Sequence, residues 1–256
     1  MHEHHRARVK ERILKSGFEG MSAHELFEVL LFFSILRTDT NPTAHRLVDN
    51  FGSLKGVFDA SIDELKTVKG VGDSTALLIR LIPEMMKRYA LESDGPVRHF
   101  DSVSKIAQYF CRQFIGINYE RLYMLLLNNR MEPIDCVVLS EGTVNSSVVD
   151  VGVVAQKAIL KKASAVVLAH NHPNGHLKPS EIDLALTEKM DQTLHDLHIS
   201  LLEHLIIVDD RFHPIMQHYN RIFKPSSVFQ KTDDETFFKR FYDVDPSEWK
   251  APSLFS

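Results

Sequence analysis

At 256 residues the chain has room for about two domains, and its 44% hydrophobic and 25% charged content is that of a globular protein, not a disordered one. A formal net charge of -4 gives no bulk basicity of the kind that marks dedicated nucleic-acid binders. Two cysteines, Cys111 and Cys136, supply neither a disulfide framework nor a cysteine metal site, and the longest apolar run, residues 26–36, is too short to span a bilayer and is broken by Glu28 and Ser34.

The N-terminal stretch MHEHHRARVKERIL has no apolar segment of the signal-peptide kind, so the chain reads as cytoplasmic, with no membrane partner. Its cluster His2, His4 and His5 reads as a mobile solvated end. Residues 1 to about 90 are helical in pattern. Ser22 with Glu25 makes a capping box before the run Leu26, Phe27, Val29, Leu30, Leu31. Asn41-Pro42 opens another helix with Ala44, Leu47 and Val48 on one face, closed by Phe51-Gly52-Ser53. Ser61 with Glu64 caps a short helix to about Val68. After Lys69-Gly70-Val71-Gly72 comes a helix from Ser74 to about Leu91. The polar, Gly- and Pro-broken stretch Glu92-Ser93-Asp94-Gly95-Pro96 marks a linker. The first domain is therefore placed at residues 1–94.

Beyond the linker the texture changes. Ser102 to Ile115 reads as a helix, and the apolar segment Glu120 to Asn129 as a strand buried on both faces. A turn at Asn128-Asn129-Arg130 returns the chain as a strand from Pro133 to Leu139, and Val144 to Val149 is a candidate third strand. A helix from Val153 to Lys162, a strand from Ala165 to Ala169, a helix from Ser180 to about Leu197 and a strand from Leu201 to Val208 follow. Helices alternating with strands imply an α/β sandwich with a mixed sheet over residues 100–222. The tail, residues 223–256, has no sustained period and includes Trp249; it suits either a disordered end or an arm lying on a partner.

One constellation carries chemistry. The strand ending at Ala169 runs into His170-Asn171-His172-Pro173, and seven residues from Pro173 to Pro179 lead to Ser180-Glu181-Ile182-Asp183. Two histidines at i and i+2 leaving a strand point the same way, because side chains alternate with period two. Asp183, one turn into the next helix, can add a carboxylate. Two imidazoles and a carboxylate leave a fourth position of a zinc tetrahedron open, the catalytic and not the structural arrangement, although such a set accepts several metals. Ser180 and Asp183 also read as a capping box, which is compatible with metal binding because it would fix Asp183 in place.

The pattern H-x-H-x7-S-x-x-D resembles the signature of the JAB/MPN (JAMM) metallopeptidases, and His170-Asn171-His172-Pro173-x-Gly175 resembles its RadC branch. Glu141-Gly142-Thr143-Val144-Asn145-Ser146-Ser147 and Leu201-Leu202-Glu203-His204-Leu205-Ile206-Ile207 extend the resemblance over roughly residues 100–220, and the helical N-terminus resembles the domain that precedes it in RadC proteins. The resemblance implies a JAB/MPN-like mixed sheet sandwiched by helices behind a small all-α domain. It implies one zinc ion per chain on His170, His172 and Asp183, with Ser180 polarising a scissile carbonyl. It also implies a glutamate acting as general base; here Glu120 precedes the apolar strand, with Tyr123 where the group often has Gly. Read without the family, Glu120 is an exposed residue at a strand start. Where RadC proteins usually carry a Pro-Arg-Glu helix start, this chain has Val149-Asp150-Val151-Gly152-Val153.

Leu65-x-x-Val68-x-Gly70-Val71-Gly72 with Ala76 fits a helix-hairpin-helix. Gly70, Gly72 and Lys69 are its candidate contacts to a DNA phosphate, through backbone N–H groups at a helix start. Basic and acidic side chains nearly balance over residues 1–95, so no broad electrostatic footprint accompanies them. Such hairpins also serve as plain packing units. The expected function is amide hydrolysis on a protein or peptide; the rivals are a DNA-repair-associated DNA- or partner-binding protein and a hydrolase of non-peptide substrates.

Overall fold

The computed structural model of the chain describes residues 2–93, 95, 98–142, 149–218 and 241. The chain divides into two units, residues 1–86 and 87–256. In the first, helices run in the order α1 (His2–Ser16), α2 (Ala23–Leu31), α3 (Asn41–Phe51), α4 (Leu54–Asp59), α5 (Ile62–Lys66) and α6 (Asp73–Ser93), the last continuing into the second unit. Both capping boxes form: Glu25 accepts from the Ser22 backbone N–H at 2.9 Å, and Glu64 from that of Ser61 at 2.8 Å. Phe27, Leu31, Leu47, Val57, Leu65, Val68 and Ile79 make the core of this unit.

The reading of this end as solvated is corrected for His5: it lies on α1, and its Nε2 meets the buried Glu28 carboxylate at 2.7 Å, while the Arg6 guanidinium donates to the carbonyls of Ile35, Leu36 and Thr38. The helix falls within the stretch read as helical, and polar anchors hold it. The helix α4 was unmarked; Ser53 caps it by accepting from Gly56 N–H.

Between α5 and α6, Gly70 stands at φ +99°, and a Cβ there would lie 2.6 Å from Thr43 Oγ1. Both the left-handed backbone and the close approach demand glycine. Gly70→Ala should therefore cost about 1–3 kcal/mol, read as a lower denaturation midpoint. Gly72 shows neither constraint, with open space where its Cβ would be, and Gly72→Ala should cost less.

The second unit holds α7 (Val103–Gln113), β1 (Arg121–Leu127), β2 (Pro133–Glu141), α8 (Val151–Leu160), β3 (Ala165–Asn171), α9 (Glu181–Asp196), β4 (Ser200–Val208), β5 (Arg211–Pro214) and α10 (Ile215–His218). The strands form one mixed sheet in the order β2-β1-β3-β4-β5. Only β3 and β4 run parallel, joined through α9 as a βαβ unit; the other neighbours are antiparallel. Strand alternation divides the side chains. Leu125, Leu127, Val167, Ala169, Leu205 and Ile207 pack with Ile106 and Phe110 of α7, while Met124, Leu126, Val166 and Leu168 pack with Val154, Ala158, Met190 and Leu194 of α8 and α9. Each fully buried side chain of this size contributes about 1.5–3 kcal/mol relative to exposure.

The edge strand β5 was not anticipated. Its hairpin turns at Asp209, held at φ 53°, a conformation Asp tolerates better than most residues. Both cysteines are free, and burial pushes the Cys111 thiol up to about 12 and that of Cys136 to about 11. The candidate strand at Val144 to Val149 falls almost wholly outside the described residues, as does the tail 223–256 apart from Phe241, which is fully buried in the core on the α7 side. Among the described residues no helix is long and apolar enough to cross a membrane.

Candidate metal centre

On β3 the side chains of Val166 and Leu168 face α8 and α9, and period two continues that face to His170 and then His172. The loop after β3 returns the chain to Ser180, the N-cap of α9. Asp183 sits at the third helical position. Its N–H donates to Ser180 Oγ at 3.1 Å, while its Oδ2 accepts from Ser180 N–H at 2.8 Å and from Ser180 Oγ at 2.6 Å. The cap thus holds the carboxylate from one side, and its other side meets the histidines: Asp183 Oδ1 is 3.2 Å from His170 Nε2, and Oδ2 is 3.5 Å from His172 Nε2. All three residues are buried, and one ligand atom from each lies within 4.8 Å of the others.

Proton bookkeeping shows what this arrangement wants. His172 Nδ1 is 2.6 Å from the carbonyl of His176. A carbonyl only accepts, so Nδ1 carries the proton and Nε2 of the neutral ring presents a lone pair. That lone pair faces His170 Nε2 at 2.8 Å and the Asp183 carboxylate. Donor atoms crowded together in this way call for a cation among them. Burial disfavours charging His172, but hydrogen bonds to Asp183 and the His176 carbonyl, with the charges of Asp183 and Glu120, outweigh it and raise its pKa. Burial likewise opposes ionisation of Asp183, yet the adjacent His170 and His172 rings and the hydrogen bonds from Ser180 hold its carboxyl far below the usual range.

Glu120 stands just before β1. Leu122 pairs with His170 across the β1–β3 ladder, so continued register brings Glu120 opposite His172. Its Oε2 is buried and has no hydrogen-bond partner. An unpartnered buried carboxylate oxygen costs about 1–3 kcal/mol or more unless something polar normally satisfies it. The donor set and this oxygen together fit a metal ion with open coordination positions.

Sequence comparison places the chain in a family. The RadC-like JAB domain profile matches residues 100–219, and the UPF0758 N-terminal profile matches residues 1–77. A UPF0758 protein of Clostridium acetobutylicum is 34% identical over 79% of this chain and 88% of its own length. The chain belongs to the RadC (UPF0758) family. A Fusobacterium nucleatum UPF0758 protein is 30% identical over 83% of this RadC chain and 95% of its own, and one from Geobacillus sp. WCH70 is 31% identical over 80% and 91%.

In this RadC protein the predicted ligands His170, His172 and Asp183 converge, Ser180 joins them through Asp183, and Glu120 lies near enough to act on His172. The Ser180 hydroxyl proton is committed to Asp183 Oδ2, so Ser180 reaches any other acceptor only by releasing that bond. Asp150, in the segment that departs from the RadC pattern, caps α8 by accepting from Gly152 N–H at 2.8 Å. Gly70, Gly72 and Lys69 lie in the loop of the N-terminal unit; the Lys69 carbonyl accepts from Arg46 Nε at 3.0 Å, and Lys66 pairs with Asp73 at 2.6 Å.

Sequence reasoning missed three RadC residues that shape the site. Asn171, between the two histidines, accepts from Arg121 N–H at 2.8 Å and donates to the Tyr119 carbonyl at 2.9 Å, clamping the backbone on both sides of Glu120. His204 on β4 and Thr187 on α9 extend the site behind His170. A histidine within the apolar run of β4 was the available signal for the second; Thr187, one turn beyond Asp183, offered a weaker one.

Proposed function

We propose that this protein is a zinc-dependent hydrolase that cleaves an amide bond, peptide or isopeptide, with one zinc ion held by His170, His172 and Asp183. The observation that carries the reading is the convergence of three buried donors beside a buried, unpartnered Glu120 oxygen. A pure scaffold has no use for an incomplete ligand set next to a carboxylate without a partner.

Zinc held there would lower the pKa of water toward neutrality and polarise a carbonyl. The protein's own groups supply the rest. Asn171 fixes the backbone around Glu120. Glu120 Oε2 accepts the proton of the attacking water and delivers it to the departing amine. Ser180 keeps Asp183 in place, and its hydroxyl, once released from Asp183, is a candidate donor to a developing oxyanion, a contact worth about 3–4 kcal/mol when well placed. Low solvent exposure of both histidines and Asp183 strengthens these interactions.

The test is metal content by mass spectrometry on the untagged full-length protein and His172→Ala, followed by hydrolysis assays on peptide and isopeptide libraries. About one zinc per chain in the wild type, lost in the variant, with zinc-dependent cleavage, is the expected result. Absence of metal from the wild type after zinc is added back would sink the reading.

A further inference from the structure

We propose that His204 and Thr187 are positioning residues that fix the proton of His170 on Nδ1 and so keep its Nε2 free for a metal ion; the proposal rests on the metal-site reading above. Both residues are fully buried, so no water competes for their hydrogen bonds. An imidazole inside an apolar strand is expensive to bury unless its nitrogens are satisfied, and here each nitrogen has one partner.

The direction of the chain follows from its end. Thr187 Oγ1 lies 2.6 Å from the carbonyl of Asp183. The carbonyl has no hydrogen, so Thr187 donates its only proton there. Its contact with His204 Nδ1, also 2.6 Å, must then be made with a proton from His204. His204 Nε2 is left with a lone pair, and it lies 2.8 Å from His170 Nδ1. His170 therefore donates from Nδ1 and presents a lone pair at Nε2, the atom that faces Asp183 and His172. With the chain reversed, His170 would carry its proton on Nε2 and could not ligate through it. The Asp183 backbone carbonyl, on the residue whose side chain completes the ligand set, forbids that reversal. His172 reaches the same protonation pattern separately, through the His176 carbonyl.

Partners that orient a ligating histidine are worth about ten- to hundredfold in metal affinity. The test is zinc affinity, measured by competition with a chromophoric chelator, for wild type, His204→Phe, His204→Gln and Thr187→Val. His204→Phe fills the space without an acceptor and should bind zinc ten- to hundredfold more weakly. His204→Gln can accept from His170 Nδ1–H through its amide oxygen and should stay within a few-fold of wild type, and Thr187→Val should fall between. Wild-type binding matched by His204→Phe overturns this inference and leaves the proposed function standing; a wild type that binds no zinc overturns both. Should His204→Phe fail to fold, nitrogen-15 NMR of the metal-free wild type decides, with His204→Gln assigning the signals. A proton on His170 Nδ1 supports the inference, and His170 protonated at Nε2 alone overturns it.

Discussion

Glu120→Gln should lower turnover by about 10²–10⁴-fold on any amide substrate while leaving zinc content and thermal stability unchanged. Glutamine preserves the shape of the side chain and removes its charge, and with it the ability to accept and return a proton. The buried Oε2 of Glu120 has no hydrogen-bond partner to lose. Loss of activity without loss of metal separates a base from a ligand or a structural carboxylate. Full activity in the variant would remove Glu120 from the mechanism, and loss of zinc would make it part of the metal site instead.

Zinc should raise the stability of the unit carrying the site by about 4 kcal/mol when free zinc is about a thousand times its dissociation constant, and the gain should be larger at pH 8 than at pH 6. The signs come from the two groups that titrate there. In the metal-free protein His172 has a raised pKa, so its contribution is complete below about pH 6.5 and is lost as pH rises through the folded value. Asp183 has a depressed pKa, so its contribution is present above about pH 4 and is lost as pH falls through its folded value. A proton on His172 and zinc compete for the same ring, and the raised pKa extends that competition above pH 6.5. Melting curves with zinc or with chelator at the two pH values measure the gain. Equal gains at both, or any gain in His172→Ala, would contradict this account.

The sheet was readable from sequence because its strands are apolar runs of the right length bounded by turn residues. The order of β3, α9 and β4 followed from the same alternation. The convergence of His170, His172 and Asp183 was readable because strand period and helix capping each fix a side-chain direction locally, and those two local rules meet at one point. What escaped detection depends on contacts distant in sequence. His204 lies 34 residues from its partner His170, and Asn171 lies 50 from Arg121; no local pattern connects them. The anchoring of α1 escaped for a related reason, since Arg6 bonds to carbonyls 29 to 32 residues away. The short strand β5 is four residues long, too brief for alternation to show.

The clamp made by Asn171 gives the intervening position of the His-x-His pair a meaning of its own. One atom of its amide gives and another receives, each to a different side of Glu120. Aspartate is nearly identical in shape, yet it would set an oxygen against the Tyr119 carbonyl and push the two strand ends apart. The spacing of the two histidines is therefore more than a chelate bite. It leaves a gap for a third side chain that ties the backbone around Glu120 to the strand carrying the histidines, so the site's two halves move as a single piece.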